Sequence, residues 1–412
     1  MMTGWLKLTI DQRRETLNQA QLLTNINVKA LEKDWWVTLV LKALFQTPMA
    51  GHFMFKGGTS LSKGWKLIPR FSEDIDVALH PNAFGRDYLD NPSHSYVKQL
   101  KREGCTFTST AIKDALQQSL LSLEVPEGML EIIAEEVKPT MPDKDPQSLY
   151  VNYPSLYEPN PYLADAVKIE FSVRSLAEPS EIIQIHSLLN EYFPNPAYVE
   201  TPFAVRTVVP KKTFIEKVLL LHEKFANPAL SKLQGDRMSR HLYDLVIMMR
   251  TAVMQEALND KELFNSLLQH RAGYIRVINY EGLTVESLAF IPSPDLMELY
   301  RQDYEFMQAN MIYRESPDFD NLLKELKWLN GKFRVVNEHL SLEQLADEGL
   351  QQLHGEWEHQ TDDTLLQTVI VKVVDPYLPS GPANKAVNYV VRFTKIDGKL
   401  IFEDIVIQNK VQ

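Results

Sequence analysis

The sequence predicts an α+β protein in which short strands are set among helices. Three observations point there. Brief apolar alternations occur at 53–56 (FMFK), 74–79 (DIDVAL) and 167–173 (VKIEFSV). A predominantly helical stretch runs from Thr213 to about Leu329, and strand-like runs follow in the tail. A period of two marks a strand with one covered face, whereas a period of 3.6 marks a helix. The 412 residues suffice for two or three domains. The expected division is a core domain over 1–205, a helical domain over 206–335 and a small α+β appendage over 336–412.

Taken in order, residues 28–46 (VKALEKDWWVTLVLKALFQ) read as a buried, strongly apolar helix. The strand at 53–56 stops at Gly57 and Gly58. A short helix over Ser60–Lys66 follows, and Pro69 ends it. After the strand at 74–79, residues 80–92 read as a loop. Residues 110–124 look helical, and the Pro-, Asp- and Tyr-rich stretch 139–162 reads as a long irregular connection. VKIEFSV is the clearest strand, while 182–190 fits either helix or strand. Thr213 and Glu216 form a capping box that opens the helical stretch. The tail holds a polar helix at 341–356, QTVIVKVV, a Pro/Gly loop and a hairpin signal at Asp397–Gly398.

The net charge of −11 argues against broad, sequence-blind nucleic-acid binding. Charge is local, however. Arg206, Lys211, Lys212, Lys217, Lys224, Lys232, Arg237 and Arg240 stand against only Glu216, Glu223 and Asp236 in segment 206–240. That segment is either a basic lobe for a polyanion or an ordinary solvated surface. The single cysteine, Cys105, reads as a packed side chain and fits a reducing compartment. The polar N-terminus does not read as a signal peptide. The most apolar stretches fall short of the ~20 residues a membrane helix needs. The expectation is a soluble, cytoplasmic protein with no membrane partner. The ten histidines show no metal-binding spacing, and Trp35 and Trp36 read as core.

The chemistry concentrates in FKGGTSLSKGW…RFSEDIDVAL. On a strand, Asp74 and Asp76 share one face while Ile75 and Val77 turn to the core. Adjacent carboxylates repel each other unless a cation sits between them, and Mg²⁺ prefers such oxygen ligands. Gly57 and Gly58 let the backbone approach a ligand closely. The N–H groups of Thr59 and Ser60, at a helix start, can then grip phosphate oxygens. A phosphate grip followed by a two-carboxylate strand is what nucleotidyl transfer needs. Glu170, on the polar face of VKIEFSV, is either a third carboxylate of this site or a surface charge paired with a lysine. Arg70, Ser72, Lys33 and Asp34 either touch the triphosphate or order the polypeptide around it.

Phe214, Val218, Leu221 and Phe225 form an apolar stripe with Lys217 at its edge and Glu216 and Glu223 on the far side. Lys217 either reaches into a cleft or snorkels at a core boundary. Asp244 either pairs with Arg240 one turn away or faces the site and orients Lys217.

KGGTSL…RFSEDID resembles the AbiEii/AbiGii (MenA-like) toxin family of nucleotidyltransferases. Glu32-Lys33-Asp34-Trp35-Trp36-Val37, Ile215-Glu216-Lys217 and Ser239-Arg240-His241-Leu242-Tyr243-Asp244-Leu245 resemble further segments of that family. The likeness spans about residues 25 to 330. It implies a polymerase-β-like nucleotidyltransferase core followed by helices. It also implies a toxin of an abortive-infection or toxin–antitoxin pair, with a cognate antitoxin protein as partner. By the same resemblance, Asp74 and Asp76 are metal ligands, Gly58 and Ser60 phosphate contacts, and Lys217 and Asp244 active-site residues. Some members add nucleotides to the 3′ end of tRNA. His241 departs from the pattern, which commonly has Asp there.

The expected reaction is transfer of a nucleotide from an NTP to an RNA 3′ hydroxyl, with tRNA foremost. Two Mg²⁺ ions on Asp74, Asp76 and Glu170 would assist it. Two other readings stand beside it. One is an NTP-dependent phosphotransferase acting on a protein hydroxyl; the other is a non-catalytic nucleotide- or RNA-binding protein.

Overall fold

The computed structural model describes residues 2–158, 163–226 and 237–335, followed by four later strand segments. The chain divides into two compact units, Met1–Phe333 and Arg334–Gln412. The first unit takes in both the core region and the helical region expected from the sequence. The border expected at 205/206 falls inside a strand, Phe203–Val208, so the sheet itself joins the two regions.

Helix α1 (Ile10–Thr24) opens on a capping box of Thr9 and Gln12. Helix α2 (Val28–Leu44) is apolar on nearly every side and buried along almost its whole length. Its charged triplet is buried with it, and each member has found a partner. Glu32 accepts hydrogen bonds from Ser155 Oγ at 2.9 Å and the Leu156 N–H at 2.8 Å. Lys33 pairs with Glu73 and donates to the Ala164 carbonyl at 2.9 Å. Asp34 pairs with Lys63 at 2.5 Å and accepts from the Leu188 N–H at 2.7 Å. Removing one partner of a buried pair costs about 3–5 kcal/mol, so these contacts fix the segments around α2.

Strand β1 (Phe53–Lys56) runs into a tight helical turn, α3 (Gly57–Thr59), which continues as a π-helical turn over Ser60–Gly64. Strand β2 (Ile75–Leu79) returns antiparallel, with Lys56 opposite Asp76. Helices α4 (His94–Phe107) and α5 (Lys113–Ser122) follow, joined by a π-helical turn, then strands β3 (Glu131–Ala134), β4 (Gln147–Asn152) and β5 (Ala166–Ser172). Next come β6 (Ser180–Ile185), α6 (Leu188–Tyr192) and β7 (Phe203–Val208). The seven strands make one mixed sheet in the order β3-β4-β5-β2-β1-β7-β6. Strand β5 lies parallel to β2 and sets Glu170 in register with Asp76.

Successive side chains of a strand point to opposite faces. Phe53, Phe55, Ile75, Val77, Ile169 and Phe171 join the main core with α2. On the other face Met54 and Ala78 pack with Ala177 and Val208 in a small apolar cluster. Lys56 and Asp76 continue that second face.

Three sequence expectations change here. The stretch 139–162 contains a full strand, β4, paired with β5; its Pro- and Asp-rich flanks masked it. Residues 182–190 hold both alternatives, the end of β6 and the start of α6. Thr213 is not a cap. Helix α7 (Pro210–Ala226) begins one turn earlier, with Pro210 where no N–H is needed, and the Thr213 N–H already bonds to the Val209 carbonyl. The remaining helices of this unit are α8 (Ser239–Met249), α9 (Ala252–Asn259), α10 (Lys261–Tyr274), α11 (Met297–Met311) and α12 (Phe319–Val335).

In the second unit, β8 (Trp357–Thr361), β9 (Leu366–Val373), β10 (Val387–Ile396) and β11 (Lys399–Gln408) form an antiparallel sheet in the order β11-β10-β9-β8. The helix expected at 341–356, the loop at 375–384 and the turn at Asp397–Gly398 lie outside the described residues. The strands flanking that turn do pair, with Ile396 opposite Lys399. Among the described residues no helix is long and apolar enough to cross a membrane.

An aromatic stack anchors α2. Trp5 and Trp35 centroids lie 4.5 Å apart, Trp35 and Trp36 4.9 Å, and Trp36 and Tyr153 5.1 Å. Trp36 is fully buried. Trp36→Ala should destabilise the protein by about 3–5 kcal/mol, read as a lowered midpoint in urea unfolding.

Candidate functional site

The site is assembled from the ends of β1 and β2, the glycine turn, and helices α7, α8 and α10. Together they enclose a cavity of about 240 Å³. Gly57, Gly58, Arg70, Ser72, Asp74, Asp76 and Lys217 all line it.

The glycines are there for space. Gly57 has φ of +78°, and a Cβ on it would overlap the Asp76 carboxylate. A Cβ on Gly58 would come within 2.7 Å of an Arg70 nitrogen and 3.0 Å of Ser72 Oγ. The turn is tied to the strand beyond it, because Thr59 Oγ1 lies 2.9 Å from Ser72 Oγ and 2.5 Å from the Asp74 carbonyl. Ser60 Oγ donates to the Gly57 carbonyl at 2.9 Å. Thr59 and Ser60 are buried, and their hydroxyls are spent on the turn itself.

Behind the cavity lies a buried charge cluster. Asp244 is fully buried and accepts two bonds from Arg70, at 2.7 and 2.8 Å, and pairs with Lys217 at 2.9 Å. Burial alone would raise its pKa, but the Arg70 and Lys217 charges outweigh burial and hold the carboxyl well below its ordinary range. Lys217 Nζ also lies 3.3 Å from His241 Nδ1. Burial lowers the pKa of Lys217 against the opposing pull of Asp244. Arg240 stands 3.9 Å from Asp74, and the ion-pair partners of Asp244 are Arg70 and Lys217. Of the two readings of Asp244, the geometry shows the one in which it orients Lys217. Asp303 accepts from the N–H groups of Arg237 and Ser239, at 2.6 and 2.7 Å, and so fixes the start of α8.

Two expected residues are placed differently. Lys33 is buried against Glu73, outside the cavity, where it holds the segment just before Asp74. Glu170 stands beside Asp76 but is paired with Lys168 at 2.7 Å. Among the described residues no group of three or more His, Cys, Asp or Glu is gathered closely enough to hold a metal ion. Glu170 thus faces Asp76 across the sheet while its carboxylate is engaged by Lys168. Asp74 and Asp76 still fit a cation. Burial first, and then the charge of Glu170, raise Asp76 from the ordinary 3.8 to about 6, with Asp74 adding to the repulsion. A divalent ion would relieve that conflict.

The sequence reading missed Lys56, Glu216, Arg240 and, on α10, His270 and Arg271, all of which line the cavity. The FMFK alternation could have revealed Lys56, which shares a strand face with Met54. Glu216 was expected on the far side. Instead it pairs with the buried Lys212 at 2.9 Å; burial would raise it, yet Lys212 and then Lys56 hold it down at about 2. Six described cations of the basic segment 206–240 stand within ion-pair distance of carboxylates, most of them supplied from outside the segment. Arg206, Lys211, Lys212, Lys217, Arg237 and Arg240 pair with Glu178, Asp260, Glu216, Asp244, Glu73 and Asp74. Lys212 and Lys217 are buried with their partners, as interior charges require, whereas Arg206, Lys211, Arg237 and Arg240 remain partly exposed.

Fold and site together place the chain in the class of α+β proteins that carry a charged cleft at the strand ends of a mixed sheet. The family model described as Nucleotidyl transferase AbiEii toxin, Type IV TA system, matches residues 39–325, and the chain belongs to that family. No curated protein matches the sequence.

Asp76 keeps a proton in the folded state where the unfolded chain has lost it. Folding thus takes up a proton between about pH 4 and about pH 6. Without divalent ions, thermal stability should fall as pH rises through this window. Asp76→Asn should remove that part of the dependence, and Mg²⁺ should offset it at pH 7, as read from melting curves in EDTA and in Mg²⁺.

Proposed function

We propose that the protein is a Mg²⁺-dependent nucleotidyltransferase toxin that moves a nucleoside monophosphate from an NTP to the 3′ hydroxyl of an RNA, with tRNA the foremost acceptor. The observation that carries this reading is one cavity lined by Asp74, Asp76, the Gly57–Gly58 turn and Lys217. The family match supports the reaction class and a cognate antitoxin as partner. The tRNA acceptor rests on the family resemblance.

In the reaction the acceptor oxygen bonds to the α-phosphorus. The bond from that phosphorus to the β-bridging oxygen breaks, pyrophosphate leaves, and the hydroxyl proton passes to solvent. Gly57 and Gly58 leave room for phosphate oxygens to reach backbone N–H groups. Lys217 has three N–H donors. Two are spent on Asp244 and His241, which leaves one for the triphosphate. Arg240 is only loosely paired, at 3.9 Å from Asp74, and can shift to a phosphate oxygen. Asp74 and Asp76 would hold Mg²⁺, whose charge screens the triphosphate and eases deprotonation of the attacking hydroxyl.

The test is incubation with each α-³²P-labelled NTP, Mg²⁺ and total tRNA. Wild type should label RNA and release pyrophosphate, and Asp76→Asn should lose roughly two orders of magnitude or more in rate while folding normally. Label on protein from γ-³²P-NTP, with release of nucleoside diphosphate, would identify a protein phosphotransferase instead. No label in either format would overturn the reading.

A further inference from the structure

His241 lies in the cavity wall. Lys217 Nζ approaches its Nδ1 at 3.3 Å. Lys217 is paired with Asp244, and an ammonium has only donors to give, so Nδ1 is the acceptor. A neutral imidazole has a single N–H, which then sits on Nε2. The surroundings keep the ring neutral. Burial comes first, and the positive charges of Lys217 and Arg240 add to it, against the weaker opposing charge of Asp244. Among the described residues nothing hydrogen-bonds to Nε2. One N–H donor of the cavity wall therefore remains for a ligand. It is flanked by two cations, and the acceptor that gains most from such a donor is an anionic oxygen.

We propose that His241 contacts the nucleotide: one ring nitrogen takes a hydrogen bond from Lys217, and Nε2–H is given to a phosphate oxygen of bound NTP. This rests on the nucleotidyltransferase reading above. It makes His241 a catalytic residue in its own right as well as a support for Lys217, and it adds a phosphate contact that brings no charge into the cleft.

Two substitutions separate these roles. Asn can place an acceptor near the position of Nδ1 but cannot reach that of Nε2. Gln can place a donor near Nε2 but leaves Lys217 without its acceptor. The full chain is titrated with ATP, GTP, CTP and UTP in turn, in Mg²⁺, by calorimetry. Melting curves verify that each variant is folded. His241→Asn should bind the preferred NTP about tenfold or more weakly, the size of one hydrogen bond to a charged oxygen. His241→Gln should stay within a few-fold of wild type. The opposite order, with Asn near wild type and Gln impaired, would show that His241 only supports Lys217 and would overturn the inference. Unchanged affinity in both variants would overturn it as well. Failure of wild type to bind any NTP would overturn the functional reading itself, and the inference with it.

Discussion

The site depends on one buried carboxylate. Asp244 has no exposure to solvent and is surrounded by Arg70 and Lys217. Neither cation could be buried there without it, because an unpaired interior charge costs several kcal/mol. Arg70 in turn fills the space beside Gly58. Lys217, held at one angle, presents its remaining N–H to the cavity. A single aspartate on α8 thus sets the shape of the glycine turn's surroundings and the aim of the lysine on α7.

The charged triplet of α2 plays the matching part on the other side of the sheet. Glu32, Lys33 and Asp34 do not line the cavity, yet Lys33 and Asp34 each hold a segment next to residues that do. Lys33 holds Glu73, the residue before Asp74, and Asp34 holds Lys63 at the end of the glycine turn. Glu73 also reaches Arg237 at 3.0 Å, which links this clamp to the approach to α8. The place of Lys33 in the core, paired with Glu73, keeps it out of the cleft.

Much of the sheet was legible because period-two alternation survives in FMFK, DIDVAL and VKIEFSV. The same alternation put Asp74 and Asp76 on one face and made Glu170 their neighbour once β5 paired with β2. What the sequence could not convey were the pairings of distant charges. Arg70 and Asp244 are 174 residues apart, and nothing local marks them as partners. Arg240, one helical turn from Asp244, looked like the obvious mate. Nor did the sequence convey that the Thr59 and Ser60 hydroxyls close the turn, beside the backbone N–H groups that had marked these residues as phosphate contacts. Strand β4 was hidden because its neighbours in sequence are loop-formers, even though its own residues, QSLYVN, pair fully with β5.

That long separation bears on how the protein is made. A ribosome emits the glycine turn and the carboxylate strand first, and the partner of Arg70 only after α8 has been synthesised. Until then the carboxylate that pairs with both Arg70 and Lys217 is missing from the cleft. The walls of the cleft are therefore supplied late in biosynthesis, first by α8 and then by α10. A prematurely terminated chain keeps the recognisable motif without the finished cleft, which ties any potency of the gene product to translation through α10.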